Sequence, residues 1–170
     1  MARVQTGDGT AFEHLLERHL PAIHAYAYRL TRSHTDADDL AQETFLRLWQ
    51  KASSYRPGTV RLTTWLHRVA HNTFVDTWRK REDTLPLDDE GDMLATPAES
   101  RDDARMQAVQ RGLMQLPLNQ RTAVSLCLLG RFSAEEAGQI MGMSTDAVES
   151  LIARARRTLR TLFADGREHT

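Results

Sequence analysis

Long apolar runs, paired cysteines and an excess of charge of either sign are all missing from this 170-residue chain. No stretch reaches the roughly 18 apolar residues a membrane span needs. The N-terminus, Met1-Ala-Arg-Val-Gln-Thr-Gly-Asp-Gly9, has no apolar segment of the kind a secretory signal carries. The expected location is therefore cytoplasmic. The single cysteine, Cys127, cannot form an internal disulfide and sits in the apolar run Val124–Leu129, where a thiol acts as a small hydrophobe. Phosphate-cradling motifs are missing too: there is no G-x-G-x-x-G and no P-loop, and Gly7 and Gly9 are too few and too near the terminus. His14, His19 and His24 step round a helix by about 140° each and share no face. His67 and His71 do share one, but a zinc hydrolase needs Glu directly after the first His, and that position is Arg68. No catalytic set, metal site or cofactor site is expected, so the chain does not read as an enzyme.

What is present is helical patterning and an uneven charge distribution. Hydrophobic residues make up 41% and charged residues 26%, which suits a globular protein. The formal net charge is only −1, yet residues 61–81 carry five basic and one acidic side chain. Residues 82–103 carry one basic and nine acidic, and residues 104–170 carry nine basic and six acidic. Basic blocks flanking an acidic one often mark a nucleic-acid binder. Thr10-Ala-Phe-Glu13 reads as a capping box opening a helix to about Thr31, with Pro21 as a possible bend. Thr35 is the expected cap of a helix running to about Ala52, Ser53–Leu62 a loop around Pro57-Gly58, and Thr63 the start of a helix to about Arg81. Pro86, Gly91, Pro97 and the acids make 82–103 a linker. Beyond it, helices fit from about Ala104 to Pro117, then at 118–129, 133–141 and 145–163. The fold class is all-α, with two small helical domains at 10–81 and 104–163.

In the second domain, the capping box Ser133-Ala-Glu-Glu136, the stop at Gly142 and the cap at Ser144 outline two short helices about a tight turn. Gly138 suits the helix crossing, Gly142 the turn, and Val148 an apolar lock, as a helix-turn-helix requires. Val148, Ile152, Ala155, Leu159 and Leu162 form one apolar stripe, and Arg154, Arg157 and Arg160 lie largely outside it. The pattern fits a recognition helix in a major groove or an ordinary hairpin with a basic face. In the first domain, Leu40, Ala41, Thr44, Phe45, Leu48 and Ala52 make a core face, and Asp39, Gln42, Glu43, Leu46 and Trp49 lie opposite. A Leu and a Trp outside the core face mark either a partner site or a contact with a neighbouring helix. From Tyr55 to Arg81, aromatics alternate with cations and amides, the mixture that holds unstacked bases and their backbone. Trp65, Phe74 and Trp78 are at the same time candidates for the core.

Three groups of residues together carry a family resemblance. Asp36-Ala-Asp-Asp-Leu-Ala-Gln-Glu-Thr-Phe-Leu-Arg-Leu-Trp49 resembles the polymerase-binding helix of extracytoplasmic-function (ECF) sigma factors, group IV of the sigma-70 family. Thr64-Trp-Leu-His-Arg-Val-Ala-His-Asn72 is similar to their promoter-melting helix. Leu116-Pro-Leu-Asn-Gln-Arg121, Ser133–Glu136 and Arg154-Ala-Arg156 resemble their second domain, in the same order and at the same spacing. The resemblance spans about residues 10–163 and implies a sigma region 2 bundle and a sigma region 4 helix-turn-helix joined by the acidic linker.

The resemblance also implies roles. Asp39, Gln42, Glu43, Leu46 and Trp49 would grip the clamp helices of the largest subunit of bacterial core RNA polymerase. Ser54, Tyr55 and Arg56 in the 53–60 loop, with Trp65, Arg68 and Asn72, would hold the opened minus-ten element of promoter DNA. Ser144, Thr145, Glu149, Ser150, Ala153, Arg154 and Arg157 would face the minus-thirty-five element. The linker would follow the polymerase cleft towards the RNA exit path. No sensor domain is visible, so control is expected from an anti-sigma factor, often membrane-bound, that clamps the two domains. The chain departs from the family at Glu149 and Leu151, where cations are common, and at Val60-Arg-Leu-Thr63. Fewer cations weaken a generic phosphate grip, while Glu149 is able to accept from a cytosine amino group. The competing reading is a stand-alone helix-turn-helix regulator, which needs neither the Trp49 face nor the aromatic–basic helix.

Overall fold

A computed structural model describes residues 1–82 and 101–165, and every regular element in them is helical. In chain order these are α1 (Ala2–Gln5), α2 (Gly9–Thr31), α3 (His34–Lys51), α4 (Leu62–Glu82), α5 (Arg101–Met114), α6 (Leu118–Val124), α7 (Ala134–Met141) and α8 (Thr145–Asp165). A 3₁₀ turn, Ala52–Ser54, ends α3, and a π turn, Ser125–Leu129, extends α6. Most of the acidic linker, and the side chain of Trp78, lie outside the described residues. No helix among the described residues is long and apolar enough to cross a membrane.

Two helix starts fall earlier than the pattern suggests. Asp8, not Thr10, caps α2, its carboxylate accepting from the Ala11 N–H at 2.9 Å. Ser33, not Thr35, caps α3 by accepting from the Asp36 N–H at 3.1 Å. Asp8 also pairs with Arg3 at 2.6 Å, which ties α2 to α1, a helix too short to show any periodicity. Pro21 faces outward, and α2 runs through it without a break.

Helices α2, α3 and α4 bury one face each. Ile23, Tyr26, Ala27 and Leu30 meet Leu40, Ala41, Phe45 and Leu48, and Leu66, Ala70 and Phe74 close the bundle. Each large apolar side chain buried this way contributes about 1.5–3 kcal/mol. In the second domain, α7 and α8 form the helix-turn-helix. Ser133 and Glu136 complete their capping box, and Gly142 turns the chain at φ 67°. Gly138 touches the next turn so closely that a Cβ there would stand 2.7 Å from the Met143 carbonyl oxygen. Val148, Leu151, Ile152, Ala155 and Leu159 make the packed stripe of α8. Leu151 is therefore a core position rather than a lost surface cation, and Leu162, expected in the stripe, is exposed.

The two domains pack together. One apolar cluster runs from the first bundle into Ala123, Leu126, Ala137, Ile140 and Val148. Helix α7 lies along α4, where Arg61 pairs with Glu136 at 2.9 Å and the His67 and Phe132 rings meet edge to face at 4.6 Å. Gln110 donates to the Tyr28 carbonyl at 2.9 Å. The buried Arg121 guanidinium donates to the carbonyls of Leu30 (2.8 Å), Leu113 (3.1 Å), Met114 (3.3 Å) and Leu116 (3.3 Å). The Leu30 carbonyl belongs to the last turn of α2 and those of Leu113 and Met114 to the last turn of α5, where carbonyls lack intrahelical partners and carry partial negative charge.

Replacing Arg121 with Met keeps much of the volume and orphans four buried carbonyls. We expect a loss of about 3 kcal/mol or more in urea melts followed by circular dichroism, with Arg121→Lys recovering only part because an ammonium lacks the planar fork. A loss below about 1 kcal/mol for Arg121→Met would mean that these carbonyls find other partners.

Candidate nucleic-acid interface

Three groups of exposed side chains stand on this frame. The first lies on the outer side of α3. Leu46 is 48% and Trp49 39% exposed, large values for such residues, and Asp39 and Gln42 are exposed beside them. Glu43 is half-buried and held by Arg47 at 2.7 Å, four residues along. Trp49 also stands edge-on to Phe12 of α2 at 5.0 Å, so the expected contact with a neighbouring helix is present, while the rest of the ring is open. An apolar groove of about 640 Å³ runs here between α2 and α3, lined by Phe12, Leu16, Leu20, Phe45, Leu46 and Trp49 among others.

The second group is the 53–60 loop with α4. The loop is braced from two directions. Gln5 of α1 donates to the Ala52 and Tyr55 carbonyls at 2.9 and 2.7 Å, and the Tyr55 hydroxyl donates to the Val60 carbonyl at 3.0 Å. Gly58, at φ 88°, makes the turn that a side chain would strain. Tyr55 is buried and Trp65 half-buried, ring against ring at 5.6 Å, so these two support the loop from beneath. Ser54, Arg56, Arg68 and Asn72 are exposed. Arg61, just before α4, and Arg68 and Asn72 on it recur at helical spacing and form a row along one side. Arg61, the first member of that row, is the residue held by Glu136, so α7 abuts it.

The two histidines of α4 belong to the core. His67 donates from Nδ1 to the Thr63 carbonyl at 2.8 Å, and His71 Nδ1 shares a hydrogen bond with the Tyr26 hydroxyl at 3.3 Å. Burial pushes both down to about 4, which keeps the rings neutral at physiological pH. Half-buried Cys127 is also subdued: burial, and then the nearby Glu136 charge, push its thiol up.

The third group is α8. Ser144 caps it, accepting from the Ala147 N–H at 3.3 Å. Thr145, Glu149, Ser150, Ala153, Arg154 and Arg157 are exposed, and from Glu149 onward they share an arc opposite the packed stripe. Arg154 Nε turns back onto the Ser150 carbonyl at 3.2 Å, folded against its own helix. Sequence reasoning missed Gln5, Arg61, His67 and Glu136 as determinants of this surface. Their partners lie up to 75 residues away and no local periodicity reports them.

Comparison with known proteins accounts for both halves. Residues 15–84 match the family model for Sigma-70 region 2, and residues 106–159 match that for Sigma-70, region 4. Among curated relatives, the ECF RNA polymerase sigma factor SigE of Mycolicibacterium smegmatis is 35% identical over 94% of this chain, and the chain spans 65% of that protein's length. SigM of Mycobacterium tuberculosis is 34% identical, with 92% and 79% covered. The RNA polymerase sigma factor CarQ of Myxococcus xanthus is 33% identical, with 97% and 96% covered. Among solved structures, CnrH in complex with the cytosolic domain of CnrY superposes over 96% of this chain and 94% of its own, with TM-score 0.74 and 27% identity. RpoE in complex with the anti-sigma factor NepR from Bartonella quintana gives 0.72 over 91% and 97%, at 28% identity. With both sigma regions matched in order and relatives aligned along nearly the whole chain, the protein belongs to the ECF RNA polymerase sigma factors.

Proposed function

We propose that this chain recruits core RNA polymerase to promoters and starts DNA opening, acting in the cytoplasm, with residues 10–81 and 104–163 as its two working domains. The observation that carries the reading is the separation of three exposed groups: an apolar–acidic patch on α3, a cation–amide row on α4 with its braced loop, and a basic arc on α8. A stand-alone duplex reader needs only the last. Asp39, Gln42, Glu43, Leu46 and Trp49 take the polymerase clamp helices. Ser54, Arg56, Arg68 and Asn72 hold the melted minus-ten strand, with Tyr55 and Trp65 bracing the loop. Glu149, Ser150, Ala153 and Arg154 read the minus-thirty-five duplex, Ser144 and Thr145 lie at the groove-facing start of α8, and Arg157 takes phosphate. An anti-sigma factor is the proposed regulator, in keeping with the partner named in the RpoE complex.

The two promoter elements are named for positions about 25 base pairs apart, roughly 85 Å of duplex at about 3.4 Å per pair. Helices α4 and α7 touch, so this arrangement does not span both elements. Productive binding therefore requires the domains to part, and polymerase must favour the parted form by more than the docking stabilises the packed one.

Trp49→Ala should weaken binding to core polymerase by roughly 2 kcal/mol while leaving helicity unchanged. Unchanged affinity in a pull-down titration would remove the α3 patch from the interface. Arg154→Ala should weaken recruitment by about 1–3 kcal/mol and recover at high holoenzyme concentration, because recruitment follows mass action. Asn72→Ala should still form closed complexes yet fail to melt DNA at any concentration, and a pre-opened bubble should partly rescue it. Permanganate reactivity of minus-ten thymines separates the two. Identical behaviour of the two variants would contradict the division of labour.

A further inference from the structure

Between the two domains lies a cleft of about 360 Å³ whose lining includes Arg29 of α2, Arg61 just before α4, His67 of α4, and Leu129, Arg131 and Phe132 of the segment before α7. That volume is within the range of small-molecule sites. Three guanidiniums line it, and among the described residues only Arg61 has a carboxylate partner, Glu136. Arg29 is the anomaly. Its Nε is buried without a hydrogen-bond partner, and the guanidinium makes no ion pair among the described residues. Burial holds its pKa below the ordinary value, and the neighbouring Tyr26 hydroxyl offsets that only in part. A cation in that position is costly unless something negative joins it. Arg131 enters the lining from the second domain, also unpaired among the described residues, on a left-handed backbone (φ 58°) that a non-glycine residue seldom adopts. The neutral ring of His67 and that of Phe132 supply an aromatic wall.

From this geometry we infer that the cleft binds a phosphorylated small molecule, its phosphate shared between Arg29 and Arg131 and its remaining atoms set against Phe132 and Leu129. A carboxylate satisfies one guanidinium fork, whereas a phosphate has the charge and the oxygens for two. Arg29 and Arg131 belong to different domains, so the bound anion favours the docked form. Given the function proposed above, it would therefore oppose the opening that polymerase requires.

The test is thermal melting of the full-length chain at constant ionic strength in chloride, with inorganic phosphate, pyrophosphate, ADP or GTP titrated in. We expect a saturable rise in Tm, about 5–10 °C at a hundredfold excess over Kd. A larger rise with the nucleotides than with inorganic phosphate is expected from the contact with Phe132 and Leu129, and an equal rise would overturn that contact and leave a site for the phosphate group alone. Arg131→Gln, a change at an exposed residue, should abolish the rise. Arg29→Met should melt above the unsubstituted protein without ligand, because an unpaired charge is gone, and below it at saturation. No saturable rise, or an equal rise in Arg131→Gln, would overturn the site. The readout involves neither polymerase nor promoter, so it fails or succeeds independently of the sigma-factor reading.

Discussion

The Arg121 guanidinium is the constraint on which the rest of the arrangement depends. A charged group is buried at the end of two helices, one from each domain, and is tolerated there because four backbone carbonyls surround it. Those carbonyls lie mostly in final turns, where the backbone has unused acceptors and the peptide dipoles leave negative charge. The bond to Leu30 ties the end of α2 to α6. With that anchor set, α7 lies along α4, Phe132 reaches His67, and Glu136 reaches Arg61. The docked shape thus places the helix-turn-helix of one domain beside the Arg61–Arg68–Asn72 row of the other.

The forces that hold the domains together are unequal. The Arg61–Glu136 pair looks like a latch, but the Arg61 side chain is 74% exposed, and such a pair contributes about 0–1 kcal/mol. Three of the four Arg121 bonds stay inside the second domain, so parting the domains breaks only the one to Leu30. What resists parting is apolar contact: the shared cluster through Leu126 and Ile140, with Phe132 packed against it. Apolar contact is non-directional and is readily replaced by another apolar surface. A partner that offers one is able to exchange it for the docking contact without leaving an unpaired charge behind.

Features with short-range causes were legible in the sequence. The core face of α3 is buried as the spacing predicts, the Ser133–Glu136 capping box forms, and Gly138 and Gly142 take the crossing and the turn. Errors arose where two neighbouring residues compete for one role. Asp8 displaced Thr10 as a cap because it also pairs with Arg3, and Ser33 displaced Thr35. Leu151 looked like a surface departure because the family pattern, not the local packing, was the guide; at 9% exposure it belongs to the stripe. Tyr55 and Trp65 read as base-holding aromatics, yet lie ring against ring under the loop. Nothing local announced the docking itself, since Arg121 and Leu30 are 91 residues apart.

The central claim is that the domains are packed in the free protein and part when polymerase binds. The most direct measurement is the distance between two spin labels, one at Arg18→Cys on α2 and one at Gln139→Cys on α7, both exposed positions, with Cys127→Ala removing the native thiol. The account predicts one narrow, short distance in the free chain and an increase of tens of ångströms, on the scale of the roughly 85 Å between elements, in the complex with core polymerase. A broad distribution in the free chain, or a short distance that survives polymerase binding, would contradict it.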